Sequence, residues 1–181
     1  MGQAWIGALP VLLLAAVAAC ARVPGQEVPD VRTPLVVVNE MLRLGAVTAN
    51  DVVYDLGSGD GRIVIAAAQD RGARGVGFEI DPALVAEATE RARRLGLADR
   101  VTFRQDDLFK ADLRDATVVT LYLSADLNRR LRPKLMSELR PGSRIVSHAF
   151  DMGDWPPTQT LQVTSNQGTH TLYLWVVPGR R

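Results

Sequence analysis

Val52-Val53-Tyr54-Asp55-Leu56-Gly57-Ser58-Gly59-Asp60-Gly61-Arg62 decides how this chain is read. An apolar run ends in an acid, glycine follows at every second position, and a helical pattern begins at Arg62. Glycine lets a loop take positive φ and approach a ligand where a Cβ would clash. A strand, glycine loop and helix opening an α/β unit place a nucleotide-type cofactor at the strand's carboxyl end. A dinucleotide fingerprint would carry its third glycine where this chain has Arg62. Asp55 and Asp60 would also set negative charge against a pyrophosphate. A cofactor with a sulfonium, an ammonium group and no phosphate suits the loop better, and S-adenosyl-L-methionine is that molecule.

Outward from the loop, strand and helix patterns alternate. Thr33-Pro34 suits an N-cap and first helical position, with Val37, Met41 and Leu44 as an apolar stripe ending at Gly45. Val52 to Leu56 is the first strand, and the helix from Arg62 to about Arg71 stops at Gly72. Gly75 to Ile80 reads as the second strand, followed by an Asp81 N-cap, Pro82 and a helix ending at Gly96. Val101 to Phe103, Thr117 to Leu123 and Arg144 to Ala149 read as strands three to five. Leu127, Leu131, Leu135 and Leu139 form a helical stripe that Pro133 is expected to kink or divide. Thr160 to Val163 and Thr171 to Val177 flank Asn166-Gln167-Gly168, a hairpin signal. Alternating strands and helices predict a mostly parallel sheet, and the closing hairpin adds antiparallel strands.

The chain's 181 residues fit one domain with a sizeable core. A formal charge of +1 gives no sign of the concentrated basic surface that a nucleic-acid partner requires. Cys20 is the single cysteine, so no intramolecular disulfide forms. The two histidines, His148 and His170, lie far apart in sequence, and no cluster has metal-ligand spacing. Trp5 to Ala21 is 17 residues without charge, at the short edge of a membrane span. Residues 1–22 are therefore expected to be an uncleaved hydrophobic anchor, or a lipoprotein-type signal given Val17-Ala18-Ala19-Cys20. Arg22 follows the apolar run, which would keep an anchored domain in the cytoplasm, where the cofactor is made. Residues 23–32 read as a linker and 33–181 as the folded domain.

Glu79 ends the second strand, where a carboxylate can accept bonds from both ribose hydroxyls. Asp81 points the same way but serves better as a helix cap.

The Asp55–Gly61 loop resembles that of the class I S-adenosylmethionine-dependent methyltransferases. That resemblance implies a Rossmann-like α/β fold with a seven-stranded sheet, helices on both faces, and a C-terminal antiparallel hairpin. It implies that Asp55, Gly57, Ser58 and Gly59 hold the methionine part of the cofactor. An acid after the third strand would accept from the adenine amino group. Asp106 and Asp107 are the candidates; Asp107 aligns better, because Leu108 follows it and can cover the ring. The methyl acceptor would lie beyond the fourth strand, near Tyr122, Ser124, Asp126 and Asn128. Tyr122 and Ser124 are the catalytic candidates there, Ser124 doubling as a helix cap, and His148 is a possible proton acceptor.

Thr33-Pro34, Asp55 through Val64, Asp107-Leu108-Phe109 and Pro141 through Ser147 look more narrowly like the small membrane-associated protein-lysine methyltransferases. These include the enzymes acting on the adenine nucleotide translocase and the ATP synthase c subunit. By that resemblance Thr33 and Glu40 lie near the cofactor's methionine end or the acceptor entrance, and the substrate is a protein lysine. The absence of an Asn-Pro-Pro-Tyr-like segment at Leu121 to Ser124 argues against methylation of nucleic-acid base amines. The alternatives are a small-molecule methyltransferase and an exported, non-catalytic lipoprotein that keeps the fold.

Overall fold

A computed structural model describes residues 32–179. The expected anchor and nearly all of the expected linker lie outside the described residues. The elements run α1 (Leu35–Leu44), β1 (Val52–Leu56), α2 (Arg62–Arg71), β2 (Arg74–Glu79), α3 (Pro82–Arg94) and β3 (Val101–Gln105). They continue with β4 (Val118–Leu121), α4 (Ala125–Glu138), β5 (Arg144–His148), β6 (Gln159–Ser165) and β7 (Gly168–Val176).

The seven strands form one sheet in the order β3-β2-β1-β4-β5-β7-β6. The pairs among β1 to β5 are parallel, and β7 runs antiparallel to both β5 and β6. The order reverses at β1, so the crevice between β1 and β4 opens at their carboxyl ends, where open α/β sheets bind ligands.

Side chains alternate between the sheet's two faces, and the core divides accordingly. Tyr54, Leu56, Val119, Leu121, Ile145 and Trp175 pack with Leu131 and Leu135 of α4 on one face. Val53, Val118, Val146 and Leu172 pack with Val37 and Met41 of α1 and Ile63 of α2 on the other. Two residues beyond Val53, Asp55 points to the α1 and α2 face, as does its register partner Thr120.

Three local expectations need correction. Thr33 does not cap α1: Pro34 holds the N-cap position with no side-chain bond, and the Thr33 hydroxyl turns to His148 Nδ1 at 3.4 Å. Pro133 does not divide α4, which is continuous across it. A proline removes only one helical N–H donor, and Leu131, Leu135 and Leu139 on its apolar side are fully buried. The fourth strand stops short at both ends, because the Thr117 hydroxyl binds Asp51 at 2.7 Å and Ser124 begins α4. The third strand and the first hairpin strand, in contrast, extend beyond the predicted limits, and the last strand starts three residues earlier and ends at Val176.

Candidate active site

The β1–α2 loop folds back on β2, where the Phe78 carbonyl accepts from both Gly57 N at 2.9 Å and Ser58 N at 3.0 Å. Gly57, Gly59 and Gly61 all have positive φ, at 82°, 52° and 76°. Their surroundings differ. A Cβ on Gly57 would lie 2.7 Å from Leu123, and one on Gly61 only 2.4 Å from the Phe103 ring. Those two positions are glycine because the protein packs against them. A Cβ on Gly59 would meet nothing within 4 Å, so its open side faces free space. The Ser58 side chain is buried beneath the loop, its Oγ 2.6 Å from where a Cβ on Gly77 would be. That hydroxyl has no partner, and it faces the sheet rather than the crevice.

Asp55 is 2 % exposed, and its Oδ1 accepts from the Thr120 hydroxyl at 2.7 Å. Burial raises its pKa to about 7, helped by the nearby charges of Glu79 and Asp60 and opposed by the Thr120 bond. A carboxylate in such a place is stabilised by an incoming cation. Glu79 is held by three backbone donors: Gly59 N on Oε2 at 2.9 Å, and Ile80 N and Asp81 N on Oε1 at 2.8 and 3.0 Å. The carboxylate keeps lone pairs for hydroxyl donors from outside. Asp81 accepts from Ala83 N and caps α3, as its sequence suggested.

Asp60 plays a different part from the one its charge suggested. Arg62 grips it with two bonds of 2.9 and 2.7 Å, and Arg91 reaches it at 3.3 Å. Burial would raise its pKa, but the bonds and charge of these arginines hold it below the ordinary carboxylate range. Its charge is therefore paired within the protein, and it reaches Asp55 only as a minor influence. Arg62 also donates to the Thr33 carbonyl at 2.8 Å, which ties the segment ahead of α1 to the glycine loop. The residue that replaces a third glycine is thus a clamp.

Asp106 and Asp107 follow β3, and Asp106 N donates to the Glu79 carbonyl at 3.0 Å. The Asp106 carboxylate accepts from Asp107 N, and that of Asp107 from Phe109 N at 3.0 Å. Lys110 stands 3.8 Å from Asp107. Asp107 therefore shapes the turn that presents Leu108, which is half-buried beside Phe109. Ile80, between Glu79 and Asp81, is 67 % exposed, the most exposed large apolar side chain described. The strand expected to run to Ile80 stops at Glu79, which leaves Ile80 as an exposed apolar surface beside that carboxylate.

Tyr122 lies just past β4, and its ring centroid is 4.0 Å from that of His148 and 6.4 Å from that of Phe150. Ser124 is the N-cap of α4, its hydroxyl accepting from Leu127 N at 3.2 Å. Asn128 is fully buried and donates to Ser147 and to the Phe150 carbonyl, both at 3.0 Å. Glu40, on α1, pairs with Arg43 at 2.7 Å. His148 and His170, remote in sequence, meet at 2.9 Å through Nε2 and Nδ1. The β5–β7 pairing brings them together, a contact that spacing along the chain could not reveal.

The residues fit the sulfonium cofactor: an uncompensated buried acid for an ammonium group, a fixed carboxylate for a diol, and free space above Gly59. When bound, that cofactor supplies a methyl carbon already activated for in-line displacement.

Residues 55–159 match the family described as the ANTKMT methyltransferase domain. The chain belongs to this family of methyltransferases. A protein-lysine N-methyltransferase of Saccharolobus islandicus is 42% identical over 152 residues, covering 83% of this chain and 94% of that protein. The adenine nucleotide translocase lysine N-methyltransferase of Mus musculus is 38% identical over 127 residues. The match there takes in 70% of this chain but only 54% of the mouse protein, about half its length. Among solved structures, a Salinibacter ruber protein described as an RNA methyltransferase, in complex with S-adenosyl-L-homocysteine, is 54% identical. Its TM-score is 0.79, covering 83% of this chain and 96% of that one.

Proposed function

We propose that this methyltransferase uses S-adenosyl-L-methionine to methylate a lysine amino group in a protein. The observation that carries the cofactor assignment is Asp55, a buried carboxylate bonded to Thr120 and facing acids, which an ammonium group would neutralise. Glu79 binds the ribose hydroxyls. Leu108 and Ile80 cover the adenine, and Asp106 or Asp107 accepts from its amino group. Gly59 lets the backbone come close to the methionine chain, Gly57 holds the loop against Leu123 beside it, and Thr33 closes its far side through Arg62. Ser58 acts from beneath by filling the space over Gly77.

Lysine as the acceptor is supported by the 42% identical relative, which this chain matches over nearly its whole length. The aromatic group of Tyr122, His148 and Phe150 suits it, because ring faces attract a cationic amine. Alignment of the nucleophile and exclusion of water then supply much of the rate. Tyr122 orients the amine, and Ser124 assists by fixing the start of α4. Residues 5–21 would tether the domain to a membrane with the site facing the cytoplasm.

The Salinibacter ruber structure favours a second reading, transfer to RNA. Against it, many arginines are committed to carboxylates: Arg62 and Arg91 to Asp60, Arg93 to Glu90, Arg114 to Asp112 and Arg132 to Asp154. Incubation with methyl-labelled cofactor, membrane protein and total RNA separates the readings. Label removed by protease and recovered as methyl-lysine supports the proposal. Label removed by ribonuclease, or confined to small molecules, rejects it.

A further inference from the structure

On the Asp55 face of the sheet, the end of the β5–β7 pair carries a second group of polar side chains. Asp55 pairs in register with Thr120, Thr120 with Val146, and His148 with Leu172. Residues two apart share a face, so His148 and His170 lie on the Asp55 side of the sheet. Bonds link them in sequence. Thr33 Oγ1 is 3.4 Å from His148 Nδ1, His148 Nε2 is 2.9 Å from His170 Nδ1, and His170 Nε2 is 2.7 Å from Ser165 Oγ. Ser165 also accepts from Gln167 N at the hairpin turn, where residues 166–169 are exposed. Both rings have the same orientation, with Nδ1 toward the site and Nε2 toward the hairpin.

Methylating a lysine ammonium forms an N–C bond and breaks the S–C bond, whose electron pair stays on sulfur. One proton per methyl group must leave. A free lysine side chain titrates near 10.4, so at neutral pH that proton has to be taken from the amine before the nitrogen can attack. We propose that Thr33, His148, His170 and Ser165 form a relay that conducts this proton across the β5–β7 pair to solvent. The inference rests on the amine-acceptor reading above. Thr33 Oγ1 takes the amine proton as it passes its own to His148 Nδ1, His148 Nε2–H passes its own to His170 Nδ1, and His170 Nε2–H passes on to Ser165, whose hydroxyl proton goes to water. Exchange of the ring protons with water from the hairpin side restores both Nε2–H tautomers before the next transfer.

The surroundings favour passage over storage. Burial, and then the neighbouring His170, hold the His148 pKa down at about 4. Tyr122 from the end of β4 and His170 from β7 are the titratable groups against its ring. α1, which packs on the same strands, carries Glu40 and Arg43, and these pair with each other. Thr33 and Ser165 are uncharged. His170 and Ser165 are positioning residues in this scheme, acting through His148.

The test uses His170→Phe, which keeps an aromatic ring without nitrogens, and Ser165→Ala on the hairpin. Turnover on the labelled membrane-protein assay is expected to fall roughly tenfold or more at pH 7 in His170→Phe. It falls less in Ser165→Ala, and both deficits close as pH approaches 10, where the amine arrives neutral. Cofactor affinity by calorimetry stays unchanged. Long-range nitrogen–proton NMR of the two histidines should show both as Nε2–H tautomers. Equal turnover, a deficit constant with pH, or either ring carrying its proton on Nδ1 would overturn the relay. A wild-type enzyme that labels no protein would overturn the lysine reading instead, and the tautomers then judge the path alone.

Discussion

The Thr120 hydroxyl donates to the Asp55 carboxylate at 2.7 Å across a parallel register in which the two residues are direct partners. This bond orients the acid whose burial has the largest effect on the site. Burial raises the pKa of Asp55 to about 7, so the ligand-free acid titrates in the neutral range. A cationic amino group binds the ionised form, so affinity for S-adenosyl-L-methionine should fall as pH drops from 7.5 to 5.5. The slope approaches tenfold per pH unit below the pKa of about 7. In Asp55→Asn the slope should vanish, with affinity at pH 7.5 lower by about ten- to a hundredfold, the loss of one charge-assisted bond. Calorimetry across that range checks both.

The same carboxylate should destabilise the ligand-free fold. The folded group keeps its proton up to about pH 7, while its unfolded counterpart loses it near 3.8. Between those values the unfolded state binds fewer protons, so stability falls as pH rises. The full shift corresponds to about 4 kcal/mol as an order of magnitude. Ligand-free Asp55→Asn should therefore melt above wild type at pH 8 and close to it at pH 4. A mutant that melts lower at both values would show that the acid's hydrogen bond outweighs its burial.

Gly59 and Gly61 should respond oppositely to alanine. Both have positive φ, which costs an L-residue roughly 1–2 kcal/mol. At Gly61 the added methyl also runs into Phe103 and Ala88, so Gly61→Ala should unfold at clearly lower denaturant or fail to accumulate. At Gly59 the methyl enters open space, and the fold should survive with only the backbone penalty. Cofactor affinity should collapse there, because the methyl occupies the volume the ligand needs. Paired melting curves and calorimetry on the two variants make the comparison.

Much of this architecture is legible in the chain because local signals agree with the tertiary ones. β1 and α2 fall where their apolar runs, Gly57 and Gly72 put them, and Asp81-Pro82 opens α3 as capping chemistry dictates. Errors arise where a distant partner decides. Thr33 is drawn from its cap by His148, and Thr117 from its strand by Asp51. Asp60 looked like a cofactor acid because Arg91, which helps neutralise it, lies 31 positions away. Thr120 and His170 were missed for a related reason. Each acquires its role only through strand register, which one sequence does not encode at short range.

At the opposite end of the sheet from the crevice, Asp51 should govern acid stability. Its carboxylate accepts from Thr117 Oγ1 at 2.7 Å, from Thr48 N at 2.8 Å and from Thr48 Oγ1 at 3.0 Å, and it pairs with Arg144. Burial pushes its pKa up, but the bonds from Thr117 and Thr48 and the Arg144 charge bring it below the ordinary value. A depressed folded pKa contributes stability above the unfolded value of 3.8 that disappears as pH falls through the folded one. Asp51→Ala removes the acceptor of the Thr117 and Thr48 bonds while Arg144 keeps the Gly45 and Ala46 carbonyls, and should cost about 1–3 kcal/mol at pH 7, with less difference once the pH falls below the folded carboxyl's range. Urea melts on either side of that range measure it.

Glu79 offers the sharpest separation of charge from shape. Its carboxylate receives three backbone N–H groups, one on Oε2 and two on Oε1, so neither oxygen can become an NH₂ without opposing a donor. Glu79→Gln, although isosteric, should therefore disturb the Gly59 side of the loop or the start of α3. It should weaken S-adenosyl-L-methionine binding by about one to two orders of magnitude. Glu79→Asp keeps the charge but withdraws it by one methylene, and should bind better than Gln because its oxygens still only accept. Adenosine, which has the ribose but no methionine chain, should lose affinity in the same order. If Gln binds adenosine as wild type does, ribose recognition does not run through this carboxylate.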